Sequence, residues 1–198
     1  MMDIWFRPLV WMDYRLGVLL AVILPLGLLI WALFQRQEAM QRLLIIYWRV
    51  ASLLMITVYL LIPGWKVGFL SGFAARILIA ISLWFWVDLN EEIRDIPQNF
   101  LKLVFTSWRW AMTAYCTLGA IAKSFFLPCG ISSSTAKTAF CQVWLEAPTA
   151  YRNFFHNKPG NEGFLGFMGS VGLVIYIIYL AYFVLIRLGK QGRSALEQ

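Results

Sequence analysis

A single histidine, His156, and three cysteines with no two in a Cys-x-x-Cys spacing are all this chain offers for soft-metal or redox chemistry. One histidine excludes bis-histidine haem and metal sites built on several imidazoles. The missing Cys-x-x-Cys-His excludes covalent haem, and the missing Cys-x-x-Cys excludes zinc ribbons and dithiol redox work. His156 can supply at most one axial ligand, and its ordinary reading is a hydrogen-bonded loop residue. There is no phosphate-cradling glycine loop and no nucleophile paired with a base. Charge is scarce too: 14% of residues are Asp, Glu, Lys or Arg, where a soluble domain carries about 25%.

What the chain has instead is apolar surface. Hydrophobic residues make up 61% of its 198 positions, with 10 Trp, 8 Tyr and 15 Phe. A soluble core of this size cannot hide that much, so the solvent for these side chains is a bilayer, with Trp and Tyr suited to its interfaces. The net charge of +7 comes from basic residues flanking apolar runs. That placement assigns them to topology and anionic lipid rather than to nucleic acid. No cleavable signal peptide is expected, because Asp3, Arg7, Asp13 and Arg15 precede the first apolar run.

Five apolar runs are long enough to cross ~30 Å of hydrocarbon as helices of ~20 residues: about 16–34, 43–62, 69–89, 101–122 and 164–186. They lack the alternation of barrel strands, and lipid admits only helices or closed barrels. Pro25 is expected to kink the first helix. The expected fold is therefore all-α: one polytopic membrane domain over residues 1–198, with five transmembrane helices and a long non-cytoplasmic loop, 123–163, between the fourth and fifth. Six basic residues (Arg36, Arg42, Arg94, Arg187, Lys190, Arg193) are concentrated in short segments on one side. Seven (Arg7, Arg15, Lys66, Lys123, Lys137, Arg152, Lys158) are spread over roughly twice the length on the other. This puts the C-terminus in the cytoplasm and the N-terminus and long loop in the lumen or periplasm.

Four ionisable residues fall within or at the edge of the runs. Arg49 and Arg109 lie roughly 9 Å and 12 Å below the cytoplasmic ends of their helices, at 1.5 Å per residue, and Asp88 ends the third helix. Arg76 belongs to the opposite leaflet. Arg49, Asp88 and Arg109 thus form a candidate intramembrane polar cluster, either a polar or acidic-lipid pocket or two snorkelling arginines with a helix-end carboxylate pairing for assembly. Trp48-Arg49-Val50-Ala51 echoes Trp108-Arg109-Trp110-Ala111, a match too short to establish a repeat. Trp84-Phe85-Trp86-Val87-Asp88-Leu89-Asn90-Glu91-Glu92 reads as a membrane edge, for anchoring or partner contact rather than acid–base work.

Cys116 is a packing residue. Cys129 and Cys141 lie in the outer loop, where an oxidising compartment favours a structural disulfide; two free thiols are the alternative. In the same loop, Phe140, Trp144, Ala147, Tyr151 and Phe154 follow helical spacing. They predict short amphipathic helices that cap the bundle or lie on the membrane. Phe140, Trp144, Tyr151 and Phe154 are the candidate partner contacts.

Tyr47–Leu54, Ser71–Arg76, Leu83–Glu92 and Thr106–Ala111 resemble an uncharacterised cyanobacterial integral membrane protein family, domain of unknown function 3177. The resemblance covers most of the chain and is most specific in the middle three helices. It carries no activity over. It implies a photosynthetic bacterium and the thylakoid membrane, and by association a role around photosynthetic complexes. The first expectation is a non-enzymatic auxiliary or assembly protein of such a complex, photosystem II favoured, whose partners are photosystem subunits and membrane lipids. No cofactor is assigned by the residues, and contact with chlorophyll or carotenoid belongs to the same expectation. The alternative is a small solute or lipid transporter or lipid-binding membrane protein using Arg49, Asp88 and Arg109; an intramembrane enzyme has least support.

Overall fold

The computed structural model describes residues 5–156, 158 and 160–195, so Asp3 and the last three residues of the basic tail lie outside the described residues. Every regular element among them is helical. The principal helices are α1 (Arg7–Phe34), α2 (Glu38–Leu61), α3 (Val67–Phe85), α4 (Val87–Asp95), α5 (Phe100–Ser124), α6 (Glu146–Phe155) and α7 (Glu162–Arg187). Four of them, α1, α2, α3 and α7, are long and apolar enough to cross a membrane. The 25 residues of α5 reach about 37 Å at 1.5 Å per residue, but Lys102, Arg109 and Lys123 make it less apolar than the others.

The helices bury one face each, at the spacing a 3.6-residue turn requires. On α2 that face is Met40, Leu43, Leu44, Tyr47 and Ala51; on α5 it is Leu101, Phe105, Trp108, Met112 and Cys116. Outer faces remain apolar, as lipid demands, and buried polar groups (Thr57, Ser71, Arg76, Arg109) sit inside. α2 lies between α3 and α7, α3 packs on α5, and α1 closes against α2 and α5. Small residues set the closest approaches: a Cβ on Gly169 of α7 would stand 3.1 Å from the Leu60 backbone nitrogen, and one on Gly166 would stand 2.6 Å from the Pro63 ring.

α1 starts nine residues before the apolar run at Leu16, because its polar first turns are satisfied by tertiary partners described below. Around Leu19–Ile23 it widens to a π-helical turn, and Leu24 donates to Leu19. Pro25 has no N–H to return to Ala21. The carbonyls released here are taken by side chains: Trp108 Nε1 donates to Leu20 at 2.8 Å and Tyr47 Oη to Ala21 at 2.9 Å. These two buried rings meet edge to face at 5.1 Å.

α3 stops at Phe85. Trp86 is extended (ψ 108°), and α4 follows as a separate polar helix. The last carbonyls of a helix lack partners within it. Three of them are used: Leu83 accepts from Arg109, Trp84 from Asn90 at 3.0 Å, and Phe85 from Arg193 at 2.9 Å. Two of the donors are cationic, which also suits the negative end of the helix dipole.

The segment between α5 and α7 is ordered into short helices, including Leu127–Ile131, Ala139–Gln142 and α6. Cys129 and Cys141 are disulfide-bonded, with Cα atoms 5.9 Å apart. Phe126 stacks on Phe140 at 4.4 Å and meets Trp144 at 5.0 Å, which seats this cap against α1 through Phe6, Val10 and Tyr14.

Candidate functional site

Two polar constellations stand at opposite ends of the bundle. At the end covered by the cap, Arg76 of α3 is 3% exposed. Its Nη2 donates to both carboxylate oxygens of Asp13 on α1, at 2.7 and 2.6 Å, and to Tyr115 Oη on α5 at 3.1 Å. Tyr115 in turn donates to the Asp13 backbone carbonyl at 2.9 Å. Two glycines make the room. A Cβ on Gly119 would collide with the Arg76 guanidinium, and one on Gly17 would lie 2.9 Å from Tyr115 Oη. One turn of α5 beyond Gly119, Lys123 sits over the Trp144 ring at 4.9 Å. Glu146 of α6 accepts from Arg7 and from the Trp11 indole, both at 2.9 Å. Chemically this is an enclosed ion pair with a phenol, a lock on three helices and the cap.

At the other end, Arg109 lies 3.9 Å over the Trp84 ring and donates to Leu83 and to Asn90 Oδ1. Asp88, three residues past Phe85, accepts from Ser194 Oγ at 3.0 Å and from the Ala195 amide at 2.7 Å. Of the polar cluster read from the sequence, Arg109 and Asp88 therefore gather at the α3–α4 break with the C-terminal tail. Arg49 stands apart, on the outer face of α2.

Arg49 opens onto a groove of about 530 Å³ between α2, α3 and α7, within the ~300–1,000 Å³ usual for ligand sites. One face of each helix lines it, among them Ile45 and Arg49 of α2, Ile81 and Phe85 of α3, and Tyr179 and Phe183 of α7. Arg42 and Arg187 line the same groove. Arg42 is also paired with Glu38 at 3.0 Å. Arg49 has no carboxylate partner among the described residues. Trp86, a further wall residue, keeps a buried indole N–H that has no hydrogen-bond partner among the described residues.

The loop candidates divide by exposure. Phe154 is 81% exposed and Phe140 42%, whereas Trp144 is 7% exposed and spent on holding the cap. Tyr151 is half-buried against Tyr59 and His156, and burial together with its contact to Tyr59 raises its phenol above the ordinary range. His156 Nε2 lies 3.0 Å from Tyr59 Oη, the hydrogen-bonded arrangement of a loop histidine. Among the described residues no group of three metal-ligating side chains gathers. Asp13, Tyr115 and the groove face of α7 were not singled out by the sequence reading. Asp13 shares its end of the bundle with Glu146 and Glu162, so no pattern in the sequence marked it as the partner of Arg76.

A family model described as "Protein of unknown function (DUF3177)" matches residues 7–196. No curated protein and no solved structure matches the chain.

Proposed function

The chain belongs to the DUF3177 family, and from that footing we propose that it is a non-catalytic auxiliary protein that docks on a larger membrane complex. The observation that carries this reading is α7. Only 6% of its apolar window is buried, against 39% for α2 and 44% for α3. The helix is held along one face by α2 and leaves Phe167, Val174, Ile178 and Tyr182 outward, a surface suited to packing against another membrane protein or its pigments. That the complex is photosynthetic, with photosystem II favoured and the thylakoid as its membrane, rests on the family resemblance. Chlorophyll or carotenoid contact along α7 belongs to the same proposal.

In this reading five helices cross the membrane, with the N-terminus and the cap lumenal or periplasmic and the C-terminus cytoplasmic. The supports are the Cys129–Cys141 bond, which belongs in an oxidising compartment, and the basic residues gathered at the other end of the bundle. Affinity purification of the tagged protein in gentle detergent, alongside native gels of a deletion strain, tests the function. Co-purification of a photosynthetic complex and loss of one of its assembly intermediates are expected. Normal accumulation of every such complex with none recovered on the tag refutes it. The groove beside Arg49 favours a second reading, lipid binding.

A further inference from the structure

We propose that the groove between α2, α3 and α7 is a binding site for one anionic membrane lipid, its acyl chain lying on the apolar walls and its headgroup held by Arg49 and Arg42. This goes beyond the docking reading and does not depend on it.

The shape comes from how α7 meets α2. At the capped end the helices touch through Gly166, Gly169 and Gly172; a Cβ on Gly172 would lie 3.3 Å from Ile56. Past Gly172 the facing residues of α7 become large: Tyr176, Tyr179, Leu180 and Phe183. Tyr176 reaches the Val50 carbonyl at 3.4 Å. The two helices are thus pinned at one end by glycine and propped at the other by aromatic rings, which opens a wedge toward the C-terminal end of α7. The tail closes the far wall: Arg193 bonds Phe85, the Val87 amide donates to the Arg193 carbonyl at 3.2 Å, and Trp86 packs on Phe183 at 5.8 Å.

Charge selects the occupant. The α2 wall is Arg42, Ile45, Ile46, Arg49 and Val50, the i, i+3, i+4, i+7, i+8 face of one helix. It puts an arginine at the rim and a second about 10 Å deeper along the axis. An unpaired guanidinium at that depth is costly in lipid. An anionic phosphate or sulfonate held between Arg42 and Arg49 answers it with charge-assisted hydrogen bonds. A second copy of this chain is disfavoured as occupant, because a symmetric contact would bring its Arg42 and Arg49 against these. A neutral lipid leaves Arg49 unanswered, Arg42 being paired with Glu38.

The test uses the purified full-length protein, with no other membrane complex present, in micelles containing equal amounts of phosphatidylglycerol and phosphatidylcholine of identical chains. Native mass spectrometry is expected to retain one phosphatidylglycerol per chain, at least tenfold over phosphatidylcholine. Retention should fall at least tenfold in Arg42→Ala/Arg49→Ala and in the groove-filling Ile81→Trp, which leaves every charge in place. Equal retention of the two lipids, or a wild-type preference in the double variant, overturns the proposal. Should the variants misfold, a photoactivatable phosphatidylglycerol on the wild-type protein decides. Crosslinks on the groove faces of α2, α3 and α7 support the site, and crosslinks confined elsewhere overturn it. Pull-down of a larger complex is read separately, so either proposal can fail alone.

Discussion

Arg76 and Arg109 are equally buried, at 3% and 4% exposure, yet they are answered differently. Arg76 meets a carboxylate and a phenol; Arg109 meets a helix end, an amide oxygen and an indole face. Removing one member of a buried ion pair leaves the other charge stranded, which costs about 3–5 kcal/mol, whereas replacing both by apolar groups of similar volume is often neutral. Arg76→Met is therefore expected to lower stability by about that amount, and Asp13→Leu/Arg76→Met to recover most of it. Reversible unfolding of the purified protein in detergent measures both. A single variant within ~0.5 kcal/mol of wild type would show that the pair contributes nothing. Gly119→Ala should cost about 1–3 kcal/mol by the overpacking route, since its methyl would take the guanidinium's place. Composition made Arg76, Arg109 and Arg49 conspicuous, because charge inside an apolar run always is. Their partners were not legible. Asp13 precedes the first apolar run and reads as a flank, and backbone carbonyls at a helix end leave no mark in a sequence.

The elements were easier to place than their ends, and the reason is specific to each. α7 is a uniform apolar stretch bounded by Gly-Asn and by charge, so its limits moved little, whereas α2 begins at Glu38, five residues before its apolar run. α1 extends back to Arg7 because Glu146, 139 and 135 residues further on, holds Arg7 and Trp11, a compensation no local window contains. α3 ends at Phe85 rather than continuing through Leu89, because Trp86 turns the chain and Asn90 folds back on Trp84. The Trp-Arg-x-Ala echo dissolves at this scale. Trp108 is spent on the released carbonyl of Leu20 and Arg109 on Leu83, while Arg49 faces the groove. Pro25 was expected to disturb α1, and the widened turn just before it supplies the physical reason that Tyr47 and Trp108 are buried with their polar atoms inward. Trp108→Phe removes the donor and strands a buried carbonyl, which costs about 1–3 kcal/mol. Tyr47→Phe should cost a similar amount, and the double variant less than the sum if the widened turn relaxes once both donors are gone. Unfolding in detergent reads all three; full additivity would mean the two bonds are independent.

The whole molecule turns on whether α5 crosses the membrane, because its composition is the least apolar of the long helices. Its neighbours decide. At one end Thr113 of α5 accepts from Trp84 of α3 at 2.8 Å, and Arg109 reaches Leu83. At the other Tyr115 meets Arg76, and the Lys123 ammonium would lie 3.5 Å from a Cβ on Gly72. α5 therefore runs antiparallel to α3 from Leu83 to Gly72, and if α3 spans the bilayer, α5 spans with it. Its cations are tolerated because Arg109 faces inward, Lys123 lies under the cap, and Lys102, in the first turn of the helix, donates to the Arg94 and Ile96 carbonyls at 2.8 and 2.5 Å. With α5 across, the crossings number five and the termini face opposite compartments; without it they number four and the termini share one. Reporters fused to each end are thus expected to give opposite signals, the N-terminal one outside the cytoplasm. In the orientation proposed above the cap lies in the oxidising compartment, where closing 13 residues between Cys129 and Cys141 contributes roughly 3 kcal/mol on the chain-entropy account. Cys129→Ala/Cys141→Ala should then leave the transmembrane helices folded while protease added from the lumenal or periplasmic face cuts between residues 125 and 155 faster than in wild type. Cleavage from the cytoplasmic face instead, or matching signals at the two termini, would invert or remove the five-crossing arrangement.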